Sequence, residues 1–369
     1  MTQPVTEQQS SDAEYGTTLF GKPARYASGL HTVGEGVWAW LQPNGELGES
    51  NSGLVAGDGA ALLIDTLWDL RLTQAMLDEL ALACDQPITT LFNTHSDGDH
   101  CWGNELVEDT EIVATGAAAA MMTELMPGML NRLNFASRAG RAIGSMPLPV
   151  VGTLKLRGVP RVPLRFLSSM LEPYDFSGIN LTLPTRTFEG RLDLDIGGRK
   201  VELIEVGPAH TAGDAIAWVP DAKVCFAADI LFVGGTPIMW AGPVDSWIEA
   251  LDTALGLGAE TYVPGHGPIS TATEVELMRD YFAWVRDEGV PRMRRGASPA
   301  HAAREMLISN DFDSLPWGGW DDPARLAVTL AAEAHKIDGG TGHLDGAGRA
   351  RAIYSMLNVA GELEQRRGQ

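Results

Sequence analysis

In FNTHSDGDHCWGN (residues 92–104), two imidazoles and two carboxylates fall within six residues, His95-Ser96-Asp97-Gly98-Asp99-His100, directly after an apolar run. An extended strand would spread such side chains apart, whereas a strand end followed by a Gly-containing turn lets them converge from one corner of the backbone. Imidazole nitrogen and carboxylate oxygen are the donors that Zn²⁺, Mn²⁺ and Fe prefer in hydrolytic sites. Taken alone, the segment also fits a solvated polar turn with an incidental pair of histidines.

Three segments further along favour the metal reading. VGPAHTAGDA (206–215) sets His210 past an apolar run, CFAADILF (225–232) carries Asp229, and YVPGHGP (262–268) carries His266 between glycines. Each is expected to end a strand, which would gather the four segments at one edge of a sheet.

Outward from these segments, short apolar runs stop at Gly, Asp, Asn or Pro, as in VWAWLQP (37–43), SGLVAGDGAALLIDT (52–66) and TTLFNTH (89–95). That is the strand signature. LRLTQAMLDELALACD (70–85) places apolar residues at helical spacing with no Gly or Pro. In RTFEGRLDLDIGGRKVELIEVG (186–207), the Gly pair between two alternating runs predicts a hairpin. AIAWVP (215–220) and KVCFAADIL (223–231) read as strands, VDSWIEALDTALGLG (244–258) as a helix, and the chain beyond Ser270 as helical with breaks at Pro291, Pro299, Pro316 and Pro323.

The ordered set HxDxDH, His, Asp, His in these flanks resembles the metallo-β-lactamase superfamily over residues 31–272, and Asp65 in LLIDT resembles its buried aspartate supporting the metal loop. The resemblance implies an α/β (α+β) fold, an αββα sandwich with the site in a groove at the edge of two sheets. By it, His95 and His210 would hold a first metal, Asp99, His100 and His266 a second, and Asp229 would bridge them, with Asp99 and Asp229 assigned catalytic roles. Asp97 departs from the pattern, which usually has His there. Its carboxylate would either bind the first metal and favour harder ions, reach only a metal-bound water and leave one metal in place, or cap its own turn. Asp214 is a further candidate for orienting a ligand. The implied cofactor is one or two divalent ions, zinc first, with manganese or iron as alternatives.

The resulting domain reading is a flexible segment 1–28, a metal-site domain 29–272 with a helical insertion at about 117–183, and a helical C-terminal extension 273–369. The insertion contains Met121, Met122, Met126, Met129, Met146 and Met170, and Met adapts to irregular apolar shapes. It reads either as a lid over an apolar acyl group or as a subdomain packed for stability. Trp240 would join the same wall.

The 369 residues carry a formal net charge of −21, which repels polyanions and argues against nucleic acid as a partner. No apolar run is long enough for a membrane span. Cys84, Cys101 and Cys225 are too few and too scattered for a disulfide framework, and Cys101 and Cys225 read as small buried hydrophobes. A cytoplasmic location and a small-molecule substrate are expected, with assembly into a homo-oligomer left open. The function expected is hydrolysis of an ester, thioester, lactone or amide by metal-activated water. The alternatives are a polyketide cyclase or thioesterase of the same fold, and a di-iron protein that handles oxygen.

Overall fold

The computed structural model describes residues 15–132, 134–135, 171–340 and 343–367, with short strands at 153–154 and 162–163. Two sheets lie face to face. The first contains β1 (Gly29–Gly34), β2 (Val37–Leu41), β3 (Ser52–Ala56), β4 (Ala61–Ile64), β5 (Ile88–Phe92), β6 (Glu111–Thr115) and β9 (Arg186–Phe188), hydrogen-bonded in that order. β1 to β4 pair antiparallel, and β4, β5, β6 and β9 pair parallel. The second holds β10 (Arg191–Ile196), β11 (Arg199–Glu205), β12 (Ala215–Val219), β13 (Val224–Phe232) and β14 (Thr261–His266). Its first four strands are antiparallel neighbours, and β14 lies parallel to β13. β7 (Thr153–Leu154) and β8 (Val162–Pro163) form a separate small pair.

Strand alternation explains the layering. Val37, Ala39, Val55, Leu62, Ile64 and Phe92 from the first sheet meet Val201, Leu203, Ala217, Val219, Phe226 and Val263 from the second, all buried. The intervening residues point outward. Leu54, Leu63 and Leu91 pack beneath α1 (Leu70–Ala83), which presents Met76 and Leu80 one turn apart. Asp69 caps α1 by accepting from Leu72 N at 2.7 Å. On the far side, Ile216, Trp218, Cys225 and Ala227 pack against α4 (Val244–Gly256) and the C-terminal helices, burying Trp247, Leu251, Phe282 and Leu330 in one cluster. Burying such side chains stabilises each layer by about 1.5–3 kcal/mol per large residue.

The expected hairpin is present: Ile196 pairs with Arg199, and the Gly pair between them has φ of 56° and 81°. A two-residue turn with both φ positive matches the twist of the flanking strands. Short helices α2 (Gly98–Cys101) and α3 (Gly116–Met121) follow β5 and β6. The extension folds as α5 (Ala272–Trp284), α6 (Val290–Arg294), α7 (Pro299–Leu307), α8 (Leu326–Ile337) and α9 (Gly346–Arg367). Thr271 and Glu274 form a capping box on α5. Pro299 and Pro323 each stand at the start of a helical segment, where a missing N–H costs nothing. Pro291, in contrast, does not break the helix as expected: a π-helical stretch, Val285–Gly289, joins α5 to α6 without interruption.

Much of the expected insertion, including Met146 and Met170, lies outside the described residues, as do residues 1–14. Of its described part, α3 and the stretch 127–132 are helical, whereas 172–183 runs in turns and irregular chain. Met121 and Met122 are buried, while Met126 and Met129 are about half exposed. Among the described residues, no helix is long and apolar enough to cross a membrane.

A candidate metal centre

The first four candidate residues leave β5 together. His95 and Asp97 lie in the turn after Phe92, and Asp99 and His100 occupy α2. Asp65, at φ 60° just after β4, ties this corner down. It accepts from Thr94 N at 2.8 Å, from Thr94 Oγ1 at 2.7 Å and from His100 Nδ1 at 2.9 Å. Because Thr94 Oγ1 donates to Asp65, it accepts from His95 Nδ1 at 2.9 Å. One buried carboxylate therefore sets the tautomer of two imidazoles, leaving both Nε2 lone pairs free. Nothing in the sequence marks Thr94 beyond its place before His95.

His210 comes from the loop between β11 and β12. Its Nδ1 donates to Ile238 O at 2.7 Å, so its Nε2 is also free to accept or to bind a cation. Asp214 does not touch the ring, contrary to its expected role. Its carboxylate accepts from Ala209 N, Thr211 N and Thr211 Oγ1 and so shapes the loop instead. His266 is the last residue of β14, and Phe232 stacks on its ring at 5.1 Å with planes 4° apart.

Asp229 differs from its expected setting. It stands inside β13 and not at its end, beside a break in the β13–β14 register at Ala228, whose φ is 47°. The bulge turns the carboxylate out of the pleat and into the histidines. Asp229 lies 3.1 Å from His100 Nε2, 3.3 Å from His210 Nε2, 3.5 Å from His266 Nε2 and 3.8 Å from His95 Nε2. Gly265 makes room for it, since a Cβ at that position would fall 1.8 Å from Asp229 Oδ1.

Asp97 precedes α2 but its side chain makes no capping hydrogen bond, which removes the turn-capping reading. Its Oδ2 instead lies 3.1 Å from His210 Nε2. Asp99 Oδ2 lies 3.5 Å from His266 Nε2. Candidate ligand atoms of His95, Asp97 and His210 fall within 4.8 Å of one another, as do those of Asp99, His100 and His266. The structure thus brings all seven residues together.

Electrostatics marks the same place. Burial works against ionisation of Asp229, yet the charges of His266, His100 and His210 hold its carboxyl well below the usual range. Burial and the His100 charge keep His95 neutral. Burial would lower His210 too, but Asp229 and Asp97 raise it to about 9. Among the described residues, the ion-pair partners of Asp65, Asp97, Asp99 and Asp229 are histidines alone. His95 Nε2, His100 Nε2 and Asp229 Oδ1 are buried and make no hydrogen bond despite their closeness. Buried donors and acceptors are nearly always satisfied, and groups that face one another without bonding suit coordination of a shared cation. The donor set of imidazoles and carboxylates fits a divalent metal.

Two sheets flanked by helices carry a histidine–aspartate centre at their common edge, and its donor set fits a divalent metal. The chain matches the metallo-beta-lactamase superfamily over residues 45–266 and belongs to that superfamily. It is 25% identical over 260 residues to a linear primary-alkylsulfatase of Pseudomonas sp., covering 67% of this chain and 48% of that protein. Over 88 residues it is 38% identical to the alpha subunit of a 2,4-dinitroanisole O-demethylase of Nocardioides sp., covering 22% of this chain and 26% of the relative. A hydroxyacylglutathione hydrolase of Rhizobium meliloti is 30% identical over 102 residues, covering 25% of this chain and 40% of the relative. The chain thus aligns with about half or less of the length of these relatives.

Proposed function

We propose that the chain is a hydrolase of ester-type bonds in which His95, Asp97 and His210 hold one divalent ion, Asp99, His100 and His266 hold a second, and Asp229 stands between them. The observation that carries this is the convergence of four imidazole Nε2 atoms within 3.1–3.8 Å of one buried carboxylate. When bound, such ions supply Lewis acidity and a water acidified enough to attack near neutral pH. The chain's own residues orient and hold. Asp65 and Thr94 fix His95 and His100, the Ile238 carbonyl fixes His210, and Phe232 fixes the plane of His266. Asp97 and Asp99, 23% and 15% exposed, are the most open of the set. Asp99 is assigned to pass a proton toward the leaving group and Asp229 to hold the charge of both ions at the attacking water.

Zinc is the ion proposed, with manganese or iron favoured to the extent that Asp97 binds as a hard oxygen donor. The substrates proposed are carboxylic esters, thioesters, lactones or amides with an apolar acyl part. Met126, Met129 and Phe135, apolar and 47%, 49% and 75% exposed, are available to cover such a group. The likeness to an alkylsulfatase over 260 residues favours a second reading, cleavage of a sulfate ester by the same centre.

The test combines elemental analysis with a panel of p-nitrophenyl esters, acyl thioesters and an aryl sulfate. His100→Ala and His266→Ala are expected to lose bound metal while keeping the fold. Their kcat/KM should drop by more than about 100-fold, the loss that outer partners of a metal ligand alone can cause. Full turnover in either metal-depleted variant would overturn the proposal.

A further inference from the structure

The C-terminal extension brings one cation to the carboxylate-rich groove. Arg349, in the first turn of α9, lies with its Cζ 5.0 Å from the centre of the Trp240 ring, and its Nε donates to Leu344 O at 3.3 Å. Trp240 belongs to the segment that flanks the metal-centre loop. Its N–H donates to His210 O at 2.8 Å, and its own carbonyl accepts from Leu344 N at 3.0 Å. The ring and the Leu344 carbonyl therefore hold the guanidinium against Trp240, one backbone hydrogen bond away from His210, whose Nε2 is 3.1 Å from Asp97. Its Nη2 remains buried without a hydrogen-bond partner among the described residues. An unmet charged donor in a buried position is costly, and a guanidinium anchored by a ring and a carbonyl presents its remaining N–H groups in a rigid planar fork.

We propose that Arg349 binds an oxyanion carried by the substrate, placed beside the His95–Asp97–His210 half of the centre. A carboxylate, sulfate or sulfonate accepts in the plane of that fork. The chemistry of place supports this. With a formal net charge of −21 and three carboxylates at the centre, the chain repels anions in general. A local cation is then what selects a substrate with one charged end. The inference gives the hydrolase reading its substrate class, an ester with an anionic group, and rests on that reading for the bond cleavage after binding.

The experiment measures binding to the metal-loaded full chain by titration calorimetry, with two inert probes of equal length, hexanesulfonate and the neutral hexyl methyl sulfone. Arg349→Met is expected to weaken hexanesulfonate by roughly tenfold to hundredfold, the range of a hydrogen bond to a charged group, while changing the sulfone less than about twofold. Arg349→Lys should recover part of the loss, since it restores the charge without the fork. Equal affinity for hexanesulfonate in wild type and Arg349→Met overturns the inference. So does an equal loss for both probes with a lowered Tm, which would make Arg349 a latch for α9. Turnover is not needed for either probe. Charge-selective binding without hydrolysis of any ester would overturn the hydrolase reading alone, and hydrolysis with binding indifferent to residue 349 would overturn this inference alone.

Discussion

Gly265→Ala adds one methyl group where the centre has no room for it. The new Cβ would lie 1.8 Å from Asp229 Oδ1 and 2.7 Å from both Asp229 N and Ala228 C. The first is about 2 Å short of ordinary contact and the other two about 1 Å short, and two of the three obstacles are backbone. Relief requires either that Asp229 swing away or that β14 retreat from β13. Both movements pull Asp229 from the four imidazoles it faces at 3.1–3.8 Å, when ligand distances tolerate only about 0.2 Å. Overpacking of this kind costs about 1–3 kcal/mol, and a misplacement near 1 Å costs about 100-fold in rate. The expected variant is folded by circular dichroism, holds less than about half the wild-type metal by elemental analysis, and loses about 100-fold or more in kcat/KM. Gly256→Ala is the control. It ends α4 with nothing within 4 Å of the added Cβ and should leave metal and activity unchanged. Wild-type metal content and rate in Gly265→Ala would refute the placement of Asp229 at the heart of the site.

Asp97→His should raise zinc occupancy of the first half-site, measured as ions per chain at limiting zinc, because it replaces a partly exposed carboxylate 3.1 Å from His210 with an imidazole donor; unchanged stoichiometry would show that Asp97 does not bind the ion. Glu49, fully buried, is pushed up to about 7 by burial against the opposing hydrogen bonds from Leu19 N and Glu46 N. Its folded pKa exceeds its unfolded one, so this stabilising contribution is complete below about pH 4.5 and is lost as pH rises through about 7. Relative to wild type, Glu49→Gln should therefore gain stability between pH 5 and pH 8, by at most about 3 kcal/mol; calorimetric melting at the two pH values with a constant difference would contradict it.

The αββα layering was legible because its strands alternate or run fully apolar and its hairpin carries a Gly pair. The metal cluster was legible because four of its members share six residues, an arrangement with few other uses. Three features escaped for physical reasons. The bulge at Ala228 arises from pairing with β14, far along the chain, and an alanine at positive φ carries no signal of its own. His210 is oriented by a backbone carbonyl, Ile238 O, which no side-chain pattern can announce. Arg349 lies well past the last ligand-type segment, in a stretch whose sequence reads only as helix, and its relation to Trp240 exists only once α9 has docked. Asp97 illustrates a competition. The general preference of Asp for capping a turn gives way to a histidine contributed by the other sheet.

The seven clustered residues divide between the sheets: His95, Asp97, Asp99 and His100 leave the first, while His210, Asp229 and His266 belong to the second. Neither half carries a complete pocket, so the centre reports on how well the two faces are closed. A cation bound across that seam would act as a clasp, and its release would demand that the halves loosen. Slow metal exchange and a melting point that climbs with free metal would then be two expressions of one closure. The same geometry exposes the centre to damage from a distance. Trimming Phe226, Val263 or Leu62 to a smaller side chain, well inside the interleaved faces, weakens the seam that aligns the ligands without touching one of them.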